Sequence, residues 1–361
     1  MAQTISATDV ELQKPVNAVF ESQFLRRAQQ ACPFYTGTVG GNLMKQGGSA
    51  TLMWRRIEQI TPSTTALSEL TTTASYMQGR DSVAASFTNV TAAVAKYRQF
   101  YIVNEEVDLY NPNGTAAELV ATLAEAAGRS LNQLMRDVTE DSSTQRYAGN
   151  VASKALVNSI ANTDNLNYSI NELWRNSART FYPMTTGSGN EATAPILPAF
   201  IGICHPDVAH DVAGLTGFRG VEIYASQTKL IPGEFGYYGR GGRGIRFVSS
   251  EDCSIDADSG TSGGVDVRST SGTNADVYTI SIYGQDALGS VGLGQRHSDG
   301  SYMAGENTGS WEIINHPKGS GGTSDPFNEI GTLAWKSFFG GAVLNSSWSR
   351  ALRVAATKLS N

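Results

Sequence analysis

The chain has 361 residues, 40% of them hydrophobic, a net charge of -6 and three cysteines. That length and apolar content support a sizeable folded core, as one large domain or two to three subdomains, and exclude a disordered chain. The acidic balance argues against a protein built to grip nucleic-acid phosphates, and three cysteines cannot make a disulfide framework. The 38 glycines are about a tenth of the chain, against a usual ~7%, and predict many turns and bulges and hence much β-structure.

The first 45 or so residues read as an arm, with a predicted helix over Val16–Cys32 and an open, glycine-rich TGTVGGNLMKQGGS after it. The opening MAQTISATDVELQKP lacks the basic start and apolar stretch of a signal peptide, and no run approaches the ~18 apolar residues of a membrane span. With Cys204 in the apolar run FIGICHP expected buried and reduced, these features point to a reducing cytoplasm. ATLMWRRIEQI (Ala50–Ile60) and VTAAVAKYRQFYIV (Val90–Val103) alternate as strands around a polar middle, TPSTTALSELTTTASYMQGRDS. A two-stranded excursion of this kind is marginal in water, so something else must hold it down.

The strongest helix signal follows. Thr115 and Glu118 have capping-box spacing, and Leu119, Leu123, Ala127, Leu131, Leu134 and Val138 form one stripe to roughly Asp141. The opposite face carries Glu125, Arg129, Arg136 and Asp137, a mixed rather than basic set, so the stripe reads as core packing and not as a membrane-surface helix. A second helix is predicted over Tyr168–Tyr182, capped by Ser169 and Glu172 and ended by Pro183. From Pro195 an α/β unit begins: buried FIGIC, a short helix in HPDVAHDVAGL, then VEIYAS and the strand IRFVSS. Between Glu251 and Thr279 stand six acids and one base, Arg268, and residues 251–276 read as an acidic Gly/Ser-rich insertion before VYTISIYG. The aromatic tail from Asp325 is expected in a core.

No motif carries catalysis. GRGGRG (Gly239–Gly244) is followed by a strand and lacks the lysine and hydroxyl of a phosphate loop, so it reads as a tight turn needing positive φ. His205 and His210 are five apart, the wrong spacing for a shared metal on one helix face, and Pro206 and Asp207 suit a helix start instead. DADSG (Asp256–Gly260) has its glycine one place too early for a calcium loop and reads as a solvated acidic turn. No G-x-S-x-G nucleophile elbow is present.

The order of these segments, with TLMWRRIEQITP, INELWRNSARTFY, FIGICHPDVAHDV, YASQTKLIPGEFGYYGRGGRGIRFVSSE, VYTISIYGQDALGSV and DPFNEIGTLAWKSFFGGAVLN, resembles the major capsid proteins of tailed double-stranded DNA phages, and among them the N-four-like podophage family. The resemblance implies an α+β, HK-ninety-seven-like capsid fold. Its parts would be an N-terminal arm (1–49), an E-loop region (50–110), a P-domain (111–194) with the spine helix at 115–141, an A-domain (195–310) and a return to the P-domain (311–361). The TALSELTTT middle lacks a glycine the family often has there. The implied protein assembles with its own copies into pentamers and hexamers of a virion shell around weakly bound double-stranded DNA, built in the bacterial cytoplasm with portal and scaffold or decoration proteins as partners. No charged helical extension precedes the arm, so a scaffold is expected as a separate chain. No cofactor, metal or catalytic residue is implied. Trp54, Arg55, Arg56, Arg80, Arg240 and Arg243 are the candidate intersubunit contacts. The alternatives are an encapsulin-like compartment and, from another class, a cytosolic α+β hydrolase, which needs a pocket holding groups of shifted pKa.

Overall fold

The computed structural model describes residues 33–35, 37–43, 49–62, 64, 85–105, 115–181, 196–228, 233–240, 242–263, 266–293, 312–321 and 325–359. The predicted arm helix Val16–Cys32, most of the polar middle of the excursion, and Arg80 lie outside the described residues.

The longest helix, α1 (Thr115–Ser142), is the core's axis, 28 residues or about 42 Å at 1.5 Å per residue. Leu123, Ala127 and Leu131 of the predicted stripe are buried, joined by Ala124 and Met135, and two polar residues, Asn132 and Thr139, share the covered face. The side chains of the Thr115–Glu118 cap pair are outside the described set. The helix packs against two sheets at once, because its core cluster takes Leu333, Trp335 and Phe339 from one and Ile201, Val248 and Tyr283 from the other.

The first sheet has β1 (Val39–Leu43), β12 (Leu288–Leu293), β14 (Ile330–Val343) and β13 (Glu312–His316) in that order, with β4 (Ala95–Asn104) also paired along β14. The ten-residue β4–β14 register runs from Ile330↔Asn104 to Phe339↔Ala95. The second sheet has the order β5 (Thr144–Tyr147), β15 (Ser349–Val354), β11 (Val277–Tyr283), β6 (Ala199–Cys204), β9 (Arg243–Ser249), β8 (Glu234–Arg240), β7 (Phe218–Gly220), with β10 (Ile255–Asp256) on β11. Every residue of β6, β11 and β15 is buried, so none of the three alternates between a covered and a water-facing side, and the buried arginines of β15 are bonded within the chain, Arg350 to Glu172 and Arg353 to Thr279. A third, two-stranded ribbon pairs β2 (Thr51–Ile57) with β3 (Phe87–Ala93).

Two expectations change. The run predicted as one strand over Val90–Val103 is divided at Val94: β3 pairs with β2, whereas β4 pairs with β14 in another sheet. Val94 N instead bonds Ala50 O at 2.9 Å, a hinge between ribbon and sheet. The second helix, α2, is Thr163–Arg175 and not Tyr168–Tyr182. Asn162 caps it by accepting from Asn165 N at 2.8 Å, while Ser169 is an interior residue bonded back to Asn165 O and Glu172 reaches Arg350. The helix stops because Ser177 turns to φ 56 and Ala178 N closes on Leu173 O at 3.0 Å. Strands cross between the sheets: β12, within 195–310, lies in the first sheet, and β15, from the C-terminal part, lies in the second. In the α/β unit, α3 (Pro206–Ala213) starts at His205 and Pro206 as expected, and VEIYAS lies in a further helix, α4 (Val221–Thr228).

Candidate assembly surface

The ribbon has two unlike faces because its strands alternate. Leu52, Trp54 and Val90 face inward and pack with Ala92, Val291 and Ala342, so this face is buried on the chain's own first sheet. A Cβ on Gly41 would stand 2.1 Å from Leu52 Cδ2 and 3.1 Å from Trp54 Cζ2, so any larger residue there would push the ribbon's inner side chains aside. Arg56 donates Nη1 to Leu344 O at 3.1 Å and pairs with Glu58 at 2.6 Å. Thr88 also donates to Glu58 at 2.6 Å; this bond, ahead of Arg56, holds the Glu58 carboxyl below its ordinary range. The resemblance to capsid proteins implies that the excursion finds its burial on sister copies, and this is corrected for its inner face, which its own chain covers. The outer face is different: Met53, Ile57 and Phe87 are exposed, Ile57 to 68%, and Arg55 lies 5.5 Å from the Phe87 ring centre with Nε 3.4 Å from Asn89 Oδ1.

The same asymmetry continues along the first sheet. The inner side of β14, Leu333, Trp335 and Phe339, lies on α1. The outer side of β4 shows Phe100 at 61% and Ile102 at 58% exposure, with Lys96 and Arg98 further along the strand. Sheets of this kind usually show water a polar face, so a row of large exposed apolar side chains calls for a covering partner.

The remaining sequence-chosen residues fall on the second sheet. Arg240 and Arg243 are cross-strand partners closing the β8–β9 hairpin, and Gly242 at the turn has φ 97, so GRGGRG is a hairpin turn. Arg243 donates Nη1 to Ala178 O at 3.3 Å and stacks 4.8 Å from the Trp174 ring centre. Of the six chosen residues, Trp54 and Arg56 are thus occupied within the chain, Arg55 is exposed on the ribbon, and Arg240 and Arg243 close one hairpin.

Sequence reasoning passed over the buried polar groups. Asp252 accepts from Arg129 Nε and Asn132 Nδ2, both at 2.9 Å, and clamps the start of the acidic segment onto α1. Asp276 accepts from the backbone N–H of Asp258 and of Thr270, and Asp258 accepts from Ser269 and Ser271, so of the two acids of the calcium-like turn Asp258 is spent on its own loop while Asp256 pairs with Lys154 at 2.8 Å. The Ser271 N–H holds Asp258 below its ordinary pKa. Among the described residues no group of three His, Cys, Asp or Glu is placed to hold a metal.

Groups with displaced pKa values are scattered and mostly buried. Desolvation pushes Cys204, Cys253 and Glu140 up and His205 down. None of them lines the two surface concavities beside Tyr168, one formed by Asn171, Glu172, Trp174 and Arg175 and the other by Gln145, Arg146, Tyr147 and their neighbours.

No protein-family model matches the chain, and no curated protein sequence does. Solved structures do. The capsid of Ralstonia phage GP4 matches with a TM-score of 0.60 over 90% of this chain and 88% of that one, at 10% identity. The Cyanophage Pam1 capsid gives 0.57 over 92% and 93%, at 10% identity, and the head of Helicobacter pylori bacteriophage KHP40 gives 0.54 over 90% and 91%, at 8% identity. The fold is that of phage capsid proteins. The α+β, HK-ninety-seven-like architecture implied by the motif order is thereby established across nine-tenths of the chain, from tertiary likeness where sequence identity is near the background level.

Proposed function

We propose that this protein is a phage major capsid protein whose copies assemble into the pentamers and hexamers of an icosahedral shell around double-stranded DNA. The observation that carries the reading is the outer face of the ribbon and first sheet, where Ile57, Phe87, Phe100 and Ile102 stand more than half exposed on a chain with the capsid fold. Burying each such side chain is worth roughly 1.5–3 kcal/mol, enough for neighbours to hold one another through several modest contacts. In this assignment the ribbon and β4 belong to the E-loop region (50–110), α1 is the spine helix of the P-domain, and the second sheet is the A-domain, completed by β5 and β15 from either side of the 195–310 segment.

The role is structural and not catalytic: the ionisable groups with displaced pKa values serve packing and loop closure rather than converging on a cleft. Affiliation with the N-four-like podophages rests on the ordered motifs from TLMWRRIEQITP to DPFNEIGTLAWKSFFGGAVLN. A virion location with assembly in the host cytoplasm, portal and scaffold partners, and weak non-specific contact with DNA follow from the same reading; the net charge of -6 suits a wall to which packed DNA does not adhere.

The test is electron microscopy and sedimentation of the full chain expressed alone and with a phage scaffold. Capsomers or closed shells are expected. A monomer under every salt and scaffold condition would sink the reading, and closed shells that enclose a protein cargo instead of DNA would favour an encapsulin-like compartment.

A further inference from the structure

The second sheet is electrically polarised along its strands. At one flank, Arg243 ties the β8–β9 hairpin tip to the C-terminal end of α2, where Arg175 is exposed and Arg179 is 70% exposed with Asp286 a loose 3.8 Å away. At the opposite flank, β6 and β9 end side by side, Ser250 N bonding Cys204 O at 3.0 Å, and lead into the acidic segment. There Glu251 and Asp266 are exposed and Asp258 is half-buried, while the bases on that flank are paired, Arg268 with Asp207 at 2.7 Å and Lys154 with Asp256 at 2.8 Å. β9 has seven residues, so the flanks are about 23 Å apart at ~3.3 Å per residue. Each flank also shows apolar surface, Trp174 on the basic side and Ile255 and Leu156 on the acidic side, all between 45% and 49% exposed.

Strand order runs across this axis, from β5 beside α1 out to β7, so the two flanks face sideways from the line along which the sheet extends. Copies arranged around an axis beyond β7 bring the basic flank of one against the acidic flank of the next. Such a contact uses two different patches, is heterologous, and closes into a ring when the rotation divides a full turn. Opposite potentials fix which flank meets which, since like flanks repel.

Resting on the shell reading, we propose that the Arg175–Arg179–Arg243 flank of one copy docks on the Glu251–Asp258–Asp266 flank of the next, forming the ring contact within a capsomer.

The full chain tests this by charge exchange, scored by sedimentation and electron microscopy with circular dichroism as the check on folding. R175E/R179E makes both flanks acidic and E251K/D266K makes both basic; each is expected to lower the assembled fraction about tenfold or more at low salt. The four-residue exchange restores opposite flanks and is expected to restore assembly. A 1:1 mixture of the two double variants is expected to form rings of even number by alternation and no five-membered ring. Normal assembly of either double variant overturns the proposal, as does a folded four-residue exchange that fails to recover. Normal shells that retain less DNA overturn it in favour of a nucleic-acid contact at the arginines. A wild-type chain that never assembles overturns the shell reading and this contact together, whereas an assembling wild type with unaffected variants removes this contact alone.

Discussion

Glu140 sits in the last turn of α1, 4% exposed, where the helix dipole and burial both oppose a negative charge. Desolvation raises its pKa despite a bond from Ser254 and the Arg353 guanidinium 3.5 Å away, with Arg136 and the Cys253 thiol nearby. Its Oε1 has no hydrogen-bond partner among the described residues. A carboxyl whose folded pKa lies above its unfolded one stabilises the fold below the unfolded value, about 4.3, and loses that contribution as pH rises through the folded value. Glu140→Gln is therefore expected to flatten the fall of the thermal midpoint as pH rises above about 4.3; a slope equal to wild type would refute the assignment. Asp252 is the reverse case, an acid whose donors converge on it. Asp252→Ala strands the buried Asn132 amide and is expected to cost about 2 kcal/mol by urea denaturation, Arg129 adding little because it is half exposed. Neither residue stands out in the sequence, since a carboxylate's partners here are 119 to 123 positions away or on another sheet.

At the level of elements, periodicity located α1 and the buried strands, and capping chemistry misplaced α2. Ser169 and Glu172 have the right spacing for a cap, yet Asn162 lies earlier and closes the helix start first, leaving Glu172 free to bind Arg350. The division at Val94 was invisible for a different reason: both halves of VTAAVAKYRQFYIV are good strands, and only their partners differ. The β8–β9 turn was legible because a tight turn between strand-like runs needs a positive φ, which glycine adopts freely and Gly242 does adopt. A Cβ on Gly242 would meet nothing within 4 Å, so the cost of Gly242→Ala is backbone strain alone at φ 97. It is expected to be about 1–2 kcal/mol in thermal or urea melts, and less for Gly242→Asn. A substitution to alanine without loss would mean that the hairpin relaxes to another turn.

For the whole molecule, α1 is held between two sheets that exchange strands, β12 in one direction and β15 in the other, so neither sheet is a separable unit. The ribbon is the exception, attached through its inner face only. Deleting residues 61–85 leaves positions 58–60 and 86 to close the β2–β3 hairpin. The expected result is a chain with its melting midpoint nearly unchanged that no longer completes shells. Normal shells from this deletion would show that the excursion is not a clamp between subunits. The double change Phe100→Lys with Ile102→Lys probes the neighbouring sheet face: with both side chains more than half exposed, monomer stability is expected to move by less than ~0.5 kcal/mol while assembly falls. A large loss of stability instead would mean that the face is covered within the chain.

The sequence by itself determined the long helix, the buried strands, the glycine turn and the absence of any catalytic motif, because each is written in spacings of two to seven residues that local sterics and burial enforce. Motif order also carried the likeness to phage capsid proteins. Only the tertiary structure decided which strands share a sheet, that the ribbon's inner face is covered by its own chain while its outer face is not, and that Asp252 and Asp276, two of the acidic segment's six acids, are buried. Those outcomes depend on pairings between residues as many as 288 positions apart, such as Arg56 with Leu344, for which a single sequence keeps no local record.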